Sequence, residues 1–202
     1  DYRYYNIDEV QTFGGGTDID VLNPVYGVPQ APAPLWSDSD LTLNQVGIYA
    51  QDQIRFGDGW IATLNGRYDV ASTNLDNRIA STETKSDAGK FSGRAGIAYE
   101  FDNGLTPYLS YSTSFSPTLT PDGLGGLVDP ETAQQWEAGI KYAPTGFDGL
   151  FSLAVFDLTR QNVASTSPSN PLVTQAIGEV NVRGIELGVQ SNLTDSWKVL
   201  GG

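Results

Sequence analysis

The sequence predicts an all-β protein, an antiparallel sheet forming part of the wall of a transmembrane β-barrel. Three observations carry this. Segments of about ten residues put apolar and polar side chains on opposite faces, as a strand does. The apolar faces end in aromatics, while the polar faces carry full charges. Short and long connections alternate, so every short turn falls on one side and every long loop on the other. Barrels with short periplasmic turns and longer extracellular loops are built this way, with lipid outside and water or a plug inside.

Tyr2 to Tyr5 reads as the end of a strand, followed by a Gly/Pro/Asp-rich connection over 6–45. Val46 to Phe56 is a strand closed by Gly57-Asp58-Gly59, a hairpin signal, and Trp60 to about Ser72 returns. A polar loop is expected over 73–90. Phe91 to Phe101 follows, closed by Asp102-Asn103-Gly104, and Leu105 to Ser116 returns before a Pro/Gly loop at 117–131. Thr132 to Ala143 turns at Pro144 into Gly149–Val163. A polar loop at about 164–173 leads to Thr174–Gln190, the turn 191–196, and a further strand from Lys198. The expectation is about eight strands in one partial barrel domain over 1–202.

Alternation assigns the faces. In 60–70, Trp60, Ala62, Leu64, Tyr68 and Val70 point one way; Thr63, Asn65, Arg67 and Asp69 point the other. The same rule puts Val46, Ile48, Ala50, Ile54, Phe91, Ala95, Ile97, Leu105, Leu109, Tyr111, Phe115, Trp136, Ala138, Ile140 and Tyr142 outward. It turns Tyr49, Gln51, Gln53, Arg55, Arg94, Glu100, Tyr108, Gln135, Glu137 and Lys141 inward. A charge on the lipid face costs about 2–4 kcal/mol at the midplane, and this arrangement avoids it. Asp52 departs from the pattern near a short turn, where the cost is small. Both faces of 149–163 are apolar, which leaves that strand's orientation open. Val182 and Arg183 fall out of phase with Ile185, Leu187 and Val189, so a bulge is expected near Gly184.

Composition narrows the function classes. Mean hydropathy is -0.25 and there is no run of about 18 apolar residues, so no membrane-spanning helix is expected. Cys, His and Met are all absent, excluding disulfides, thiol nucleophiles and imidazole metal sites in this stretch. A start without Met or a signal peptide reads as a mature segment or internal fragment. Net charge is -13, which disfavours nucleic acid. Residues 6–45 hold Asp8, Glu9, Asp18, Asp20, Asp38 and Asp40 with no Lys or Arg: a solvated loop, or an acidic rim that biases approaching ligands. The Asp18, Asp20, Asp38 and Asp40 spacing lacks a calcium-loop pattern. Ser110–Ser116 has no His to activate a nucleophile.

Several blocks resemble the barrel of TonB-dependent siderophore receptors, the ferrichrome-receptor branch in particular. They are Val46-Gly47-Ile48-Tyr49-Ala50-Gln51-Asp52-Gln53, Leu64-Asn65-Gly66-Arg67-Tyr68-Asp69 and Ser92-Gly93-Arg94-Ala95-Gly96. The series continues with Pro107–Phe115, Glu137–Tyr142, Phe156–Val163, Val182–Leu187 and the loop segment Asp20–Gly27. Order and spacing over nearly the whole chain carry the likeness. It implies a slice of a 22-stranded barrel in the outer membrane of a Gram-negative bacterium. The partners it implies are outer-membrane lipid, a ferric siderophore as transported ligand, and the TonB complex acting through a plug domain and TonB box outside this stretch. No cofactor and no catalytic or metal site is expected.

Siderophore complexes are bulky and are held by aromatics and hydrogen bonds, which nominates Tyr26, Trp36, Tyr49 and Phe115 for the ligand; girdle or loop packing is the plainer role for each. Arg55, Arg67, Asp69, Arg94, Glu100, Glu137 and Lys141 form an expected lumenal charge ladder that docks the plug, rather than Asp69 and Glu100 forming a catalytic pair. The acidic rim favours a neutral or cationic complex of the hydroxamate type. A passive porin or adhesin barrel, or a secreted all-β binding domain, remains an alternative.

Overall fold

A computed structural model describes residues 1–16, 18–194 and 196–202. Among these, nine strands form one sheet in unbroken chain order: β1 (Tyr2–Thr12), β2 (Leu35–Phe56), β3 (Trp60–Asn77), β4 (Thr82–Tyr99), β5 (Leu105–Ser116), β6 (Glu131–Tyr142), β7 (Gly149–Ser167), β8 (Asn170–Thr194) and β9 (Trp197–Gly201). All neighbours are antiparallel, and β9 is the further strand expected from Lys198. Glycines at positive φ make the tight turns: Gly57 at 57°, Gly104 at 85° and Gly146 at 83°, angles costly for other residues.

Register fixes the faces, because cross-strand partners share one. Ile54, Ala62, Ile97, Leu109, Ala138, Val155 and Ile185 make one apolar row across seven strands. No second layer covers it: Ile48 is 73% exposed, Leu64 53% and Ile185 75%. A secreted sandwich would bury these side chains in a shared core. Along the short-turn rim Phe56, Trp60, Tyr99 and Phe101 contact in series, with ring centroids 6.4, 5.0 and 4.6 Å apart. Midway up the same face Tyr111 meets Trp136 at 4.8 Å, and higher still Tyr68, Phe91 and Phe115 face outward. Two aromatic belts bounding an apolar band mark the membrane interfaces. The register also settles β7: Phe151, Leu153 and Val155 face outward, Leu150, Ala154 and Phe156 inward.

The expected bulge near Gly184 does not occur. Pairing is continuous from Gly149↔Ser191 to Gln161↔Glu179. Arg183 therefore faces outward, where its Nε donates to Asp157 at 2.7 Å; a paired charge at the upper edge of the apolar band replaces the phase slip. The irregularity lies higher, where Asn162 has φ 58° and the register shifts between Thr166 and Ser167.

Two expected loops are largely strand. Residues 73–90 form the top of the β3–β4 hairpin, turning only at 78–81, and 164–173 forms the top of β7–β8, turning at 168–169. The 6–45 connection shortens to 13–34 as β1 and β2 run upward. A hairpin standing in water on both faces is as polar as a loop, so composition cannot separate them. Tilted strands rise about 2.3 Å per residue, so about 11 residues cross a band about 25 Å tall. β3 and β4 have 18 residues each, β7 has 19 and β8 25, whereas β5 and β6 have 12. The wall thus has tall hairpins on either side of a low section. Segment 117–130, above that section, folds onto the inner face, where Thr73 Oγ1 donates to the Thr118 carbonyl at 3.3 Å. Beneath it Leu41, Leu43, Ala71 and Leu75 are buried, a small apolar core on an otherwise polar face.

Candidate functional site: the charged inner wall

Strand parity places all seven residues of the expected charge ladder on the inner face, where they pair locally. Near the short-turn rim Arg55 Nη1 lies 2.8 Å from Glu100 Oε2. Higher up, Arg67 makes two bonds to Asp69, Nε to Oδ2 and Nη2 to Oδ1, both 2.6 Å. Gln45 Nε2 also donates to Asp69 Oδ1, at 2.8 Å. Asp69 is buried, and its fork-on-fork pairing with Arg67 fixes both side chains flat against the wall. Gly47 makes that possible: a Cβ there would overlap the Arg67 guanidinium. Asp69 and Glu100 thus belong to separate ion pairs.

A second cluster joins β4, β5 and β6. Tyr108 donates its hydroxyl to Glu137 Oε1 at 2.8 Å, and Gln135 Nε2 donates to Oε2 at 2.9 Å. Arg94 Nη2 donates to Ser110 at 3.1 Å and stands 4.0 Å from Glu137. Lys141 Nζ lies 5.4 Å above the Tyr108 ring, a cation–π distance. Gly139 leaves room for that ring, since a Cβ would sit 2.7 Å from it. Gln51, Asn65, Arg94, Tyr108, Ser110 and Lys141 help line a concavity of about 500 Å³. Its lining mixes amides and cations that stay partly exposed with the buried Ser110 and with Ile61, Ile97 and Leu109. Sequence reading missed the pair Arg160 Nε–Glu131 Oε1, 2.7 Å apart on the same face, because the orientation of β7 was ambiguous.

The nominated ligand residues are scattered. Tyr49 is on the inner wall opposite Arg67 and 66% exposed to the lumen. Tyr26 is exposed in the 13–34 connection. Trp36 sits where the β1–β2 register shifts and packs edge-on against Phe13 at 5.8 Å, at the top of the β1–β2 hairpin. Phe115 pairs with Thr132 on the outward face with Tyr111, among the aromatics of the upper belt. The acidic rim also changes character. Arg78 reaches from the β3–β4 turn to Asp8 at 2.7 Å and Asp38 at 2.8 Å, with Asp40 at 3.8 Å. The bonds that Arg78 donates to Asp38 and Asp8 hold its proton more firmly than usual. Asp8, Asp40, Asp76 and Glu83 are successive partners across β1 to β4 on the outward side, so this acid faces away from the lumen.

The chain matches the TonB dependent receptor-like, beta-barrel family over residues 1–202. It is 39% identical to the ferrioxamine B receptor of Salmonella typhimurium over 197 residues, 97% of this chain and 28% of that protein. It is 38% identical to the ferrichrome outer membrane transporter/phage receptor of Escherichia coli over 157 residues, 78% of this chain and 21% of that protein. The chain therefore spans about a quarter of the curated relatives it matches. Among solved structures, the ferric-catecholate import receptor Fiu of E. coli superposes with TM-score 0.69 at 18% identity, covering 99% of this chain and 32% of Fiu. The siderophore receptor PiuA of Acinetobacter baumannii gives 0.67 at 24% identity, covering 85% of this chain and 27% of PiuA. These two establish the fold.

Proposed function

Because the chain belongs to the TonB-dependent receptor β-barrel family of the Gram-negative outer membrane, we propose that it is part of the barrel wall of a transporter that imports a ferric siderophore, with no chemistry of its own. The observation that carries this is the inner wall. It is lined by ion pairs and half-exposed amides and cations around a concavity of about 500 Å³, a surface suited to a folded domain inside the barrel. In this reading the ladder from Arg55 to Lys141 docks the plug through which the TonB complex acts. A passive porin would leave the same charges facing water, and a plug domain encoded upstream discriminates the two.

The ligand class rests on the relatives, named for ferrioxamine B and ferrichrome, and we take it to be the hydroxamate type. The acidic rim gives this less support than composition suggested, since Arg78 neutralises part of it and much of it faces outward. Tyr49 and Tyr26 remain the ligand contacts of choice, since Trp36 packs on Phe13 and Phe115 shares the outward face with Tyr111. Growth of a strain lacking other receptors, expressing the full-length protein, tests the reading. Ferrichrome or ferrioxamine B as sole iron source is expected to restore growth only when TonB is present. Rescue by ferric citrate alone would overturn the ligand class, and rescue without TonB the transport mechanism.

A further inference from the structure

The β4–β5 ladder stops short of what its sequence permits. It runs only from Ala98↔Tyr108 to Arg94↔Ser112. Yet β5 continues to Ser116, paired throughout with β6, and β4 pairs with β3 as far as Thr82. The lower limit has a cause: the next partner of Tyr99 in this register is Pro107, which has no N–H. The upper limit has none in the sequence. Continuing the register sets Gly93 against Thr113, Ser92 against Ser114, Phe91 against Phe115 and Lys90 against Ser116, all competent to pair. The following residue, Pro117, would end the ladder. Instead, the Gly93 N–H points at β5 and donates to the Thr113 hydroxyl at 3.0 Å.

This open seam lies at the upper belt. Phe91 shares a row with Tyr68 and Ile48, about 18 Å above the short turns, still inside a band about 25 Å tall. Unpaired peptide groups there are costly. Segment 117–130, which continues from the end of β5, is held on the wall beside the seam. It is anchored by Thr73 Oγ1 to the Thr118 carbonyl at 3.3 Å, Thr84 Oγ1 to the Gly125 carbonyl at 2.6 Å, and Thr174 N–H to the Asp122 carbonyl at 3.0 Å.

We propose that residues 113–131 are a two-state element at the barrel mouth. In the state seen here, 117–130 lies on the inner wall and narrows the vestibule while the seam is open. In the other, 113–116 zips onto 90–93, Phe91 and Phe115 become cross-strand neighbours, and 117–130 lifts off the wall. The states exchange like for like: a short run of ladder bonds and an aromatic pair against the anchoring bonds of 117–130, that of Asn162 Nδ2 to the Pro130 carbonyl at 3.0 Å included, and the cover over Leu41, Leu43, Ala71 and Leu75. Under the transport reading above, the lifted state is the one that admits ligand.

Two cysteine pairs in the full-length receptor test this in intact cells. The Gly93 N–H direction makes Gly93 and Thr113 a hydrogen-bonded pair. Ser92 and Ser114 then form the close, non-hydrogen-bonded pair of the zipped state, about 4.5 Å apart at Cα and within disulfide reach. Ser92→Cys/Ser114→Cys is expected to cross-link under mild oxidation and to make 117–130 cleavable by external protease. Thr73→Cys/Thr118→Cys, cross-linked, is expected to cut ferrichrome uptake at least tenfold, with recovery on reduction. The proposal is overturned if the Ser92/Ser114 pair never cross-links in an assembled receptor, or if the Thr73/Thr118-locked receptor transports normally. Should a cysteine pair block assembly, spin labels at Lys90 and Leu124 replace it, and a single distance population overturns the proposal. Cross-linking needs no ligand. Absence of ferrichrome uptake in the wild type would therefore count against the transport reading and leave this one standing.

Discussion

Val155 and Gln51 sit at nearly the same height on opposite faces of the wall, which makes them a sensitive test of sidedness. Val155 is six residues above Gly149 and Gln51 five below Phe56 in sequence, so at about 2.3 Å per residue they lie about 14 and 12 Å from the short-turn rim, near the middle of a band about 25 Å tall. Val155 faces outward between Ala138 and Ile185 with no acidic cross-strand partner. Gln51 faces inward beside Asn65. Val155→Arg buries a charge in lipid and is expected to cost about 2–4 kcal/mol, which is about a 30- to 900-fold shift in the folding equilibrium. Gln51→Arg adds a charge to a polar wall and is expected to change stability by under about 0.5 kcal/mol. Urea titration of the full-length receptor folded into phospholipid vesicles measures both. Equal costs, or a larger one at Gln51, would refute the assignment of faces.

Three further outcomes follow from the geometry. Asp69→Ala removes the acceptor of three bonds and is expected to destabilise the folded receptor by about 1.5–3 kcal/mol in the same titration; Asp69→Asn should retain part of this. Gly47→Ala forces a Cβ onto the Arg67 guanidinium. It should cost about 1–3 kcal/mol alone but much less in an Arg67→Ala background, and additivity of the two would remove the steric account. Cysteine at Ser81, in the β3–β4 turn, is expected to react with an impermeant maleimide on intact cells, while cysteine at Asn103 should stay unlabelled; the reverse pattern inverts the topology.

How much was legible depended on whether a residue faced two different media. Through the membrane band, lipid on one side and polar lumen on the other force strict alternation, and the inward placement of Arg55, Arg67, Arg94, Glu137 and Lys141 could be read directly. Above it both faces meet water, and Asn74, Lys85 or Ser165 look the same in a hairpin as in a loop. That is why β3, β4, β7 and β8 proved longer than expected. Where the inner face is apolar as well, as at Leu150, Ala154 and Phe156, alternation vanishes and only the register decides. Arg183 misled for a related reason. Its partner Asp157 sits on another strand, and a cross-strand ion pair leaves no trace in the local pattern. Phe115 was already outward by alternation, whereas Trp36 lies where the β1–β2 register shifts and has no cross-strand partner to place it.

The unbroken order β1 to β9 has a consequence for assembly. Every ladder joins strands consecutive in the chain, so each hairpin finds its partner without threading past another segment. Such a wall can grow one hairpin at a time, each new strand templating on the free edge of the last. Only the final seam, where a whole barrel closes, must bring distant parts of the chain together. The entropic cost of that closure rises only as the logarithm of the intervening length, about 0.6 kcal/mol for each doubling. A barrel of this plan can thus gain or lose whole hairpins over time at little topological cost, and its circumference follows the number of strands.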